Sequence, residues 1–101
     1  GLSKARRVRD FFIDNRIPVV AEDTWGGEIT TATLAHFAAS TPAEFLQNTT
    51  DLHNYNTRST GTPEPEVRDG KLFASDAPGL GVTPDFVSLG EPIADYGVPA
   101  P

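Results

Sequence analysis

The chain has 101 residues and a formal net charge of −6, a size that suits one small domain. It has no cysteine, which excludes disulfide bonds and thiolate metal sites, and no apolar run approaches the roughly 20 residues of a membrane-spanning helix. The acidic balance argues against a nucleic-acid partner, because phosphates require a basic surface, and we expect a cytoplasmic protein without a membrane partner.

Basic residues are concentrated at the start of the chain. Five basic residues against two acidic ones give the first 16 residues a net charge of +3 and leave −9 in the remaining 85. We interpret this basic segment as the solvated face of a helix. The sequence also contains no methionine, so we expect it to be processed, cut or part of a longer product.

The first predicted elements are a helix and a strand. Ser3 is a suitable cap for a helix that runs to about Asn15. Its apolar stripe, at helical spacing, consists of Leu2, Ala5, Val8, Phe11 and Phe12. The continuous apolar run 17–21 predicts a strand that is covered on both faces, and Pro18 fits only at its start.

A second helix and a second strand follow. Gly26-Gly27 predicts a turn into a helix over residues 28–40, which Thr41-Pro42 ends. This helix is rich in alanine and leaves little polar surface, so we expect it to pack closely on more than one side. A short strand is predicted at about 44–47. The order helix, strand, helix, strand indicates parallel strands with right-handed crossovers.

The second half of the sequence is richer in turn residues. Residues 48–66 predict a long loop, a kind of segment that is often functional. Residues 67–73 predict a hairpin in which Asp69-Gly70 suits a two-residue type I′ turn. Residues 76–81 predict another turn, and the proline- and glycine-rich tail to Pro101 predicts only short regular pieces.

Polar and aromatic residues follow the first predicted strand, where parallel α/β enzymes place their active sites. Asp23 and Trp25 are the predicted substrate contacts, since a carboxylate pairs with a substrate ammonium and an indole face attracts a cation. The alternative is that Trp25 packs under the loop and Asp23 caps the following helix. Glu22 is either a further acidic contact or a partner for an upstream lysine.

The second predicted strand ends in a similar polar segment. Residues 47–51 are expected to line the opposite wall of the pocket, with about half of them pointing inward because alternate strand residues share a face. Thr50 and Asp51 are the candidate contacts there; alternatively, Asp51 ends the strand by bonding its own backbone. We interpret His36 as a packing residue and assign neither His36 nor His53 as a metal ligand.

Several strings, taken in order, resemble one family. The chain resembles the last barrel units of the enolase superfamily, in its mandelate racemase and muconate-lactonizing enzyme branch. The strings that carry the resemblance are Gly1-Leu2-Ser3, Ile17-Pro18-Val19 and Ala39-Ser40-Thr41-Pro42. The turn 76–81 resembles a Pro-Gly-Leu-Gly turn near the carboxyl terminus of that branch. The string 22–27 is similar to members that act on proline derivatives, such as cis-3-hydroxyproline dehydratases and proline-betaine epimerases.

The resemblance implies an α/β fold, with this chain as the carboxyl-terminal units of a (β/α)8 TIM-type barrel, about strands 7 and 8. Residues 1–53 would form the βα units of the barrel. Residues 54–101 would form a loop, a hairpin and a tail that pack on the barrel and contribute to the capping domain. Alone, such a piece is expected to expose a large apolar surface and to aggregate.

The resemblance also implies the chemistry. In the family, Mg²⁺ stabilises the enediolate that forms when the proton next to a carboxylate is removed. The family carries its metal ligands and lysine bases on barrel strands upstream of this chain, so no catalytic base and no metal ligand is assigned here. Glu22 stands roughly where mandelate racemase carries a histidine base and Gln47 roughly where it carries an acidic group, which favours the two-lysine type of enzyme.

The function that the resemblance implies is dehydration of cis-3-hydroxy-L-proline by a complete barrel enzyme, with the isolated piece inactive. One alternative is racemisation or epimerisation of proline derivatives such as proline betaines; another is a sugar-acid dehydratase in which Trp25 stacks on a sugar. A different class is a small non-enzymatic binding module that uses Trp25 and Asp23. The expected partners are an amino-acid-like carboxylate substrate, the remainder of the same barrel and further copies in a homo-oligomer.

Overall fold

Helices and strands alternate along the first half of the chain. The computed structural model describes residues 1–97, so residues 98–101 of the predicted tail lie outside the described residues. The elements of the first half are α1 (Leu2–Asp14), β1 (Val19–Ala21), α2 (Glu28–Ala39) and β2 (Leu46–Thr49). The strands are parallel, with Val19 opposite Leu46 and Ala21 opposite Thr49. The predicted parallel pairing is therefore confirmed, and both strands end at the same edge.

Two predicted boundaries differ from the structure. Ser3 is not the helix cap, because α1 already begins at Leu2 and Gly1 holds the capping position without a side-chain hydrogen bond. The second strand begins two residues later than predicted, at Leu46. The reason is a turn in which the amides of Phe45 and Leu46 donate to the Pro42 carbonyl at 2.9 and 3.2 Å.

The small core lies between β1 and α2. Val19 and Ala21 of β1 are buried, while Val20 between them is 50% exposed, because alternate strand residues point to opposite faces. In α2, three alanines are buried: Ala32, Ala35 and Ala38. Among residues 1–97 only one face of β1 is covered, so the predicted coverage of both faces is not met within the described part of the chain.

The predicted apolar stripe of α1 faces an open groove. The groove has a volume of about 540 Å³ and runs between α1 and α2 along β1. Its apolar lining includes Leu2, Ala5, Val8, Phe12, Leu34 and Phe37. Phe11 lies away from this groove and is 62% exposed. The first three elements thus leave an apolar surface open.

Arg9 departs from the predicted solvated face of α1. Its side chain is buried and donates to the carbonyl and the hydroxyl oxygen of Ser40 at 3.2 and 2.7 Å. The guanidinium also pairs with Asp10 at 2.7 Å and lies 5.4 Å from the centre of the Phe37 ring. Arg9 therefore links α1 to the carboxyl end of α2, where a cation is favourable.

Replacing Arg9 with alanine is expected to lower the free energy of unfolding by about 1–3 kcal/mol, because the bonds to Ser40 and the contact with Phe37 are lost together. Arg7→Ala is the matched control, since Arg7 is an exposed arginine of the same helix. Thermal denaturation of both variants measures the difference. Equal melting temperatures for the two variants would contradict a structural role for Arg9.

The second half of the chain contains more regular structure than predicted. The region predicted as a loop over 48–66 includes the end of β2, a 3-10 helix (Leu52–Tyr55) and β3 (Gly61–Thr62). The remaining elements are β4 (Val67–Arg68), β5 (Lys71–Leu72), β6 (Thr83–Pro84) and α3 (Phe86–Leu89). β3 pairs with β6, and β4 pairs with β5, both antiparallel. No helix in the described residues is long and apolar enough to cross a lipid bilayer.

The predicted turns are formed as local chemistry dictates. Asp69 and Gly70 both have positive φ, at 51° and 71°, which confirms the type I′ hairpin turn between β4 and β5. In the turn 76–81, the Leu80 carbonyl lies 3.3 Å from Nε2 of His36. His36 therefore packs as interpreted from the sequence and connects α2 to this turn.

Candidate functional site

The carboxyl ends of β1 and β2 bring two loops together. The loop after β1 spans residues 22–27, and the loop after β2 begins at Thr50. The amide of Thr50 donates to the Ala21 carbonyl at 3.2 Å, and the amide of Asp23 donates to the Thr50 hydroxyl at 3.0 Å. Two of the predicted site residues, Asp23 and Thr50, are thus in direct contact.

Asp23 is buried, and both of its carboxylate oxygens accept hydrogen bonds. Oδ1 accepts from the Trp25 amide at 2.9 Å. Oδ2 accepts from the Thr31 hydroxyl and from the Leu52 amide, each at 3.1 Å. Since a charged acceptor makes strong bonds to backbone amides, this carboxylate holds the loop after β1, the helix α2 and the 3-10 helix in fixed relative positions.

Trp25 is exposed and does not pack under its loop. The residue is 64% exposed, and its ring lies beside the ring of Tyr55, a residue that is 69% exposed. The ring centres are 5.2 Å apart with a tilt of 57°, a favourable geometry for an aromatic pair. Tyr55 was not a candidate from the sequence, because a lone tyrosine in a polar loop carries no local signal of this contact.

The other predicted contacts lie on separate surfaces. Glu22 is exposed and lines the groove between α1 and α2. Thr50 and Asp51 line a second cleft of about 570 Å³ between β2 and the β4–β5 hairpin. Oδ2 of Asp51 accepts from the side-chain amide of Asn54 at 2.6 Å. The predicted residues therefore surround the strand ends without converging on one enclosed pocket within the described part of the chain.

Glu28 fixes a further loop to the start of α2. It is buried, and its Oε2 accepts from the amide and the hydroxyl of Thr60 at 2.8 and 2.7 Å. Burial alone would raise the pKa of Glu28, but the hydrogen bonds from Thr60 and neighbouring groups outweigh it and lower the pKa below its ordinary value. The amino-terminal end of α2, which follows Gly26-Gly27, therefore already has a negative charge beside it, the carboxylate of Glu28.

No metal centre can be assembled from the described residues alone. Residues 1–97 contain no group of three or more acidic, histidine or cysteine side chains placed to hold a metal ion. His53 is buried in the 3-10 helix, and its Nδ1 has no hydrogen-bond partner among these residues. The polar residues at the strand ends do not fit the ligand set of Mg²⁺, which requires several converging oxygens.

Relatives of known sequence share this part of the molecule. The chain is 49% identical over 96 residues to the cis-3-hydroxy-L-proline dehydratase of Roseibium aggregatum, a match that covers 95% of this chain and 26% of that protein. The chain thus spans about a quarter of the length of the curated relative that it matches.

Solved structures share the fold. A mandelate racemase/muconate lactonizing enzyme from Roseovarius nubinhibens superposes with a TM-score of 0.88 at 73% identity, over 98% of this chain and 27% of that one. A second Roseovarius nubinhibens protein of the mandelate racemase/muconate-lactonizing group, crystallised in complex with magnesium, has a TM-score of 0.89 at 29% identity, over 96% of this chain and 27% of that one.

A family profile described as Enolase C-terminal domain-like matches residues 1–88. This match covers both parallel strands, both long helices, the 3-10 helix and the β4–β5 hairpin. The strings that resemble the enolase superfamily in the sequence lie within the same residues, and so the chain belongs to the Enolase C-terminal domain-like family of the enolase superfamily.

Proposed function

We propose that the chain supplies the carboxyl-terminal barrel units of an enzyme that dehydrates cis-3-hydroxy-L-proline. The observation that carries this proposal is the 49% identity to a cis-3-hydroxy-L-proline dehydratase across 96 residues. We use the term complete enzyme for this chain together with the preceding barrel units and capping domain that the proposal requires.

The open surfaces of the chain support an arrangement of this kind. Val20 lies on the uncovered face of β1, and an apolar groove of about 540 Å³ lies between α1 and α2. A barrel of eight strands would cover such surfaces with neighbouring strands and helices. In this arrangement β1 and β2 would be strands 7 and 8, and their loops would lie at the catalytic end of the barrel.

The proposed reaction removes the α-proton of the substrate and expels its β-hydroxyl group. A base takes the proton from Cα, the electron pair of the C–H bond forms the Cα–Cβ double bond, and the C–O bond breaks as the hydroxyl leaves with a proton as water. Residues 1–97 contain no group of three or more acidic, histidine or cysteine side chains that could hold a metal ion. The base and any metal ligands are therefore proposed to lie in the preceding part of the complete enzyme.

The role proposed for this chain is recognition of the cationic ring nitrogen. Trp25 presents an exposed indole, whose face attracts a cation. Glu22, Thr50 and Asp51 add acidic and polar groups around the same strand ends. The −9 charge of the sequence beyond residue 16 provides a favourable potential for an ammonium group. The small-molecule partner is therefore proposed to be an amino-acid-like carboxylate.

The second candidate is racemisation or epimerisation of a proline derivative. It is supported by the 73% identity to a structure described as a mandelate racemase/muconate lactonizing enzyme, a description that includes a racemase. Both reactions begin with loss of the α-proton, but epimerisation returns a proton to the opposite face of Cα instead of losing the hydroxyl group. The substrate and the upstream residues decide between these outcomes.

A substrate panel tests the proposal. The complete enzyme with Mg²⁺ is incubated in D₂O with cis-3-hydroxy-L-proline, with a proline betaine and with a sugar acid, and the products are followed by mass spectrometry. We expect loss of water from cis-3-hydroxy-L-proline. Deuterium at Cα of the betaine without loss of water from any substrate would instead establish the epimerase, and turnover of the sugar acid alone would exclude both.

A further inference from the structure

The loops after β1 and β2 present two aromatic rings that are held by one buried carboxylate. We infer that Trp25 and Tyr55 form an aromatic pair that binds the cationic nitrogen of the substrate. We assign Asp23 as the positioning residue that holds this aromatic pair in place. The inference rests on the substrate class in the proposed function and adds Tyr55 as a contact and a different role for Asp23.

The first step of the argument is that Asp23 connects the two loops that carry the rings. Its Oδ1 accepts from the Trp25 amide at 2.9 Å, and its Oδ2 accepts from the Leu52 amide at 3.1 Å. Leu52 is the first residue of the 3-10 helix, and Tyr55 is its last. The side-chain amide of Asn56 also donates to the Gly26 carbonyl at 3.3 Å. The backbone on both sides of the aromatic pair is therefore fixed.

The second step is the backbone conformation of Trp25. Its φ is +62°, in the left-handed region that a bulky residue seldom adopts. Such residues persist only where surrounding bonds hold them, and they are concentrated at functional sites and ligand clamps. The bond from the Trp25 amide to Asp23 is such a bond, and in this conformation the indole lies beside the ring of Tyr55.

The third step is that both rings are open to a cation. Trp25 and Tyr55 are 64% and 69% exposed although they are large aromatic side chains. Elsewhere an arginine lies over an aromatic ring, as Arg9 does over Phe37 and Arg68 over Phe73. Within residues 1–97 no cation of the chain lies over either ring of the aromatic pair. An ammonium ligand therefore meets no competitor from the described residues.

The fourth step concerns the carboxylate. Asp23 is only 8% exposed, and three donors already occupy its two oxygens. A direct bond to a substrate ammonium would require one of these donors to leave. Because each donor would then lose a charged acceptor, Asp23 acts through the position of the rings and not as a ligand.

The aromatic pair is tested by binding of two probes to the complete enzyme, measured by calorimetry. L-proline carries a secondary ammonium, and (S)-tetrahydrofuran-2-carboxylate has a neutral ring oxygen at the same position. Tyr55→Leu and Trp25→Leu are each expected to weaken L-proline binding by about 3- to 30-fold and to change binding of the oxygen analogue by less than about 2-fold. Phe86→Leu, at an exposed aromatic residue of α3 outside both loops, is the matched control and is expected to bind both probes as the parent does.

The role of Asp23 is tested by combining substitutions. Asp23→Asn is expected to weaken L-proline binding in the parent, and to cause no further loss once both Trp25→Leu and Tyr55→Leu are present. An equal loss in both backgrounds would show that Asp23 contacts the ligand independently of the rings. Because Asp23→Asn can also affect folding, circular dichroism of each variant accompanies the binding measurement, and Tyr55→Leu tests the aromatic pair separately.

The outcomes separate this inference from the proposed function. Suppose that the parent dehydrates cis-3-hydroxy-L-proline, but Tyr55→Leu binds both probes like the parent or loses affinity for both probes equally. The assignment of the aromatic pair as the ammonium site is then wrong, while the proposed function stands. If the parent binds neither probe and acts only on a sugar acid, the proposed substrate class is wrong.

Discussion

Replacing Asp23 with alanine is expected to lower the free energy required to open the loops after β1 and β2 by about 3–5 kcal/mol. The substitution leaves the amides of Trp25 and Leu52 and the hydroxyl of Thr31 without their charged acceptor. The Thr31 hydroxyl bond is buried and the two amide bonds are partly buried, and a buried donor without a partner costs about 1–3 kcal/mol. Hydrogen exchange of residues 22–27 and 51–56 in the complete enzyme measures the effect as faster exchange in both segments.

The matched control for this prediction is Glu22→Ala. Glu22 is the neighbouring carboxylate, and it is exposed, so its loss is expected to change local stability by no more than about 0.5 kcal/mol. If Asp23→Ala left the exchange of residues 51–56 unchanged, the carboxylate would not connect the two loops. The structural account of the candidate site would then fail.

Replacing Glu28 with glutamine is expected to destabilise the protein by about 1–2 kcal/mol at pH 7, since the charged acceptor for Thr60 and the favourable charge at the start of α2 are lost. The pKa of Glu28 is below its ordinary value in the folded state. Its contribution is therefore fully present above the unfolded pKa of about 4.3 and is lost as the pH falls through the folded pKa.

Melting temperatures of the complete enzyme, measured from pH 7 down to pH 3.5, test this prediction. The difference in melting temperature between the parent and Glu28→Gln is expected to narrow below about pH 4.3. Asp85→Asn is the control for a lowered pKa at another site. Asp85 is an exposed cap of α3, and hydrogen bonds from Ser88 and Val87 lower its pKa. A Glu28→Gln difference that stays constant over the whole pH range would rule out a charge-dependent contact with Thr60.

Local sequence patterns predict the local parts of the fold. The apolar spacing of α1, the Gly26-Gly27 turn into α2 and the Asp69-Gly70 hairpin each depend on neighbouring residues, and the structure contains all three. The prediction of a loop over 48–66 missed the 3-10 helix and β3, because the order of this segment comes from distant partners. Thr60 is held by a carboxylate 32 residues away, and no short-range pattern reports such a bond.

In the candidate site, too, local patterns predict some residues, while distant contacts determine the geometry. Asp23 and Trp25 stand out in the sequence because a carboxylate and an indole follow a buried strand. Their geometry depends on contacts with residues after β2, such as the bond from Leu52 to Asp23 across 29 residues. Tyr55 could be found only once the parallel pairing of β1 and β2 had brought the two loops to one edge.

The measurement that tests the central claim most directly is turnover of cis-3-hydroxy-L-proline by the complete enzyme before and after removal of Mg²⁺. We expect loss of water in the presence of Mg²⁺, no turnover after chelation and recovery when the metal is restored, by a protein whose intact mass is several times 10.8 kDa. Absence of water loss from cis-3-hydroxy-L-proline in the presence of Mg²⁺ would contradict the account and would leave the non-enzymatic binding module as a candidate.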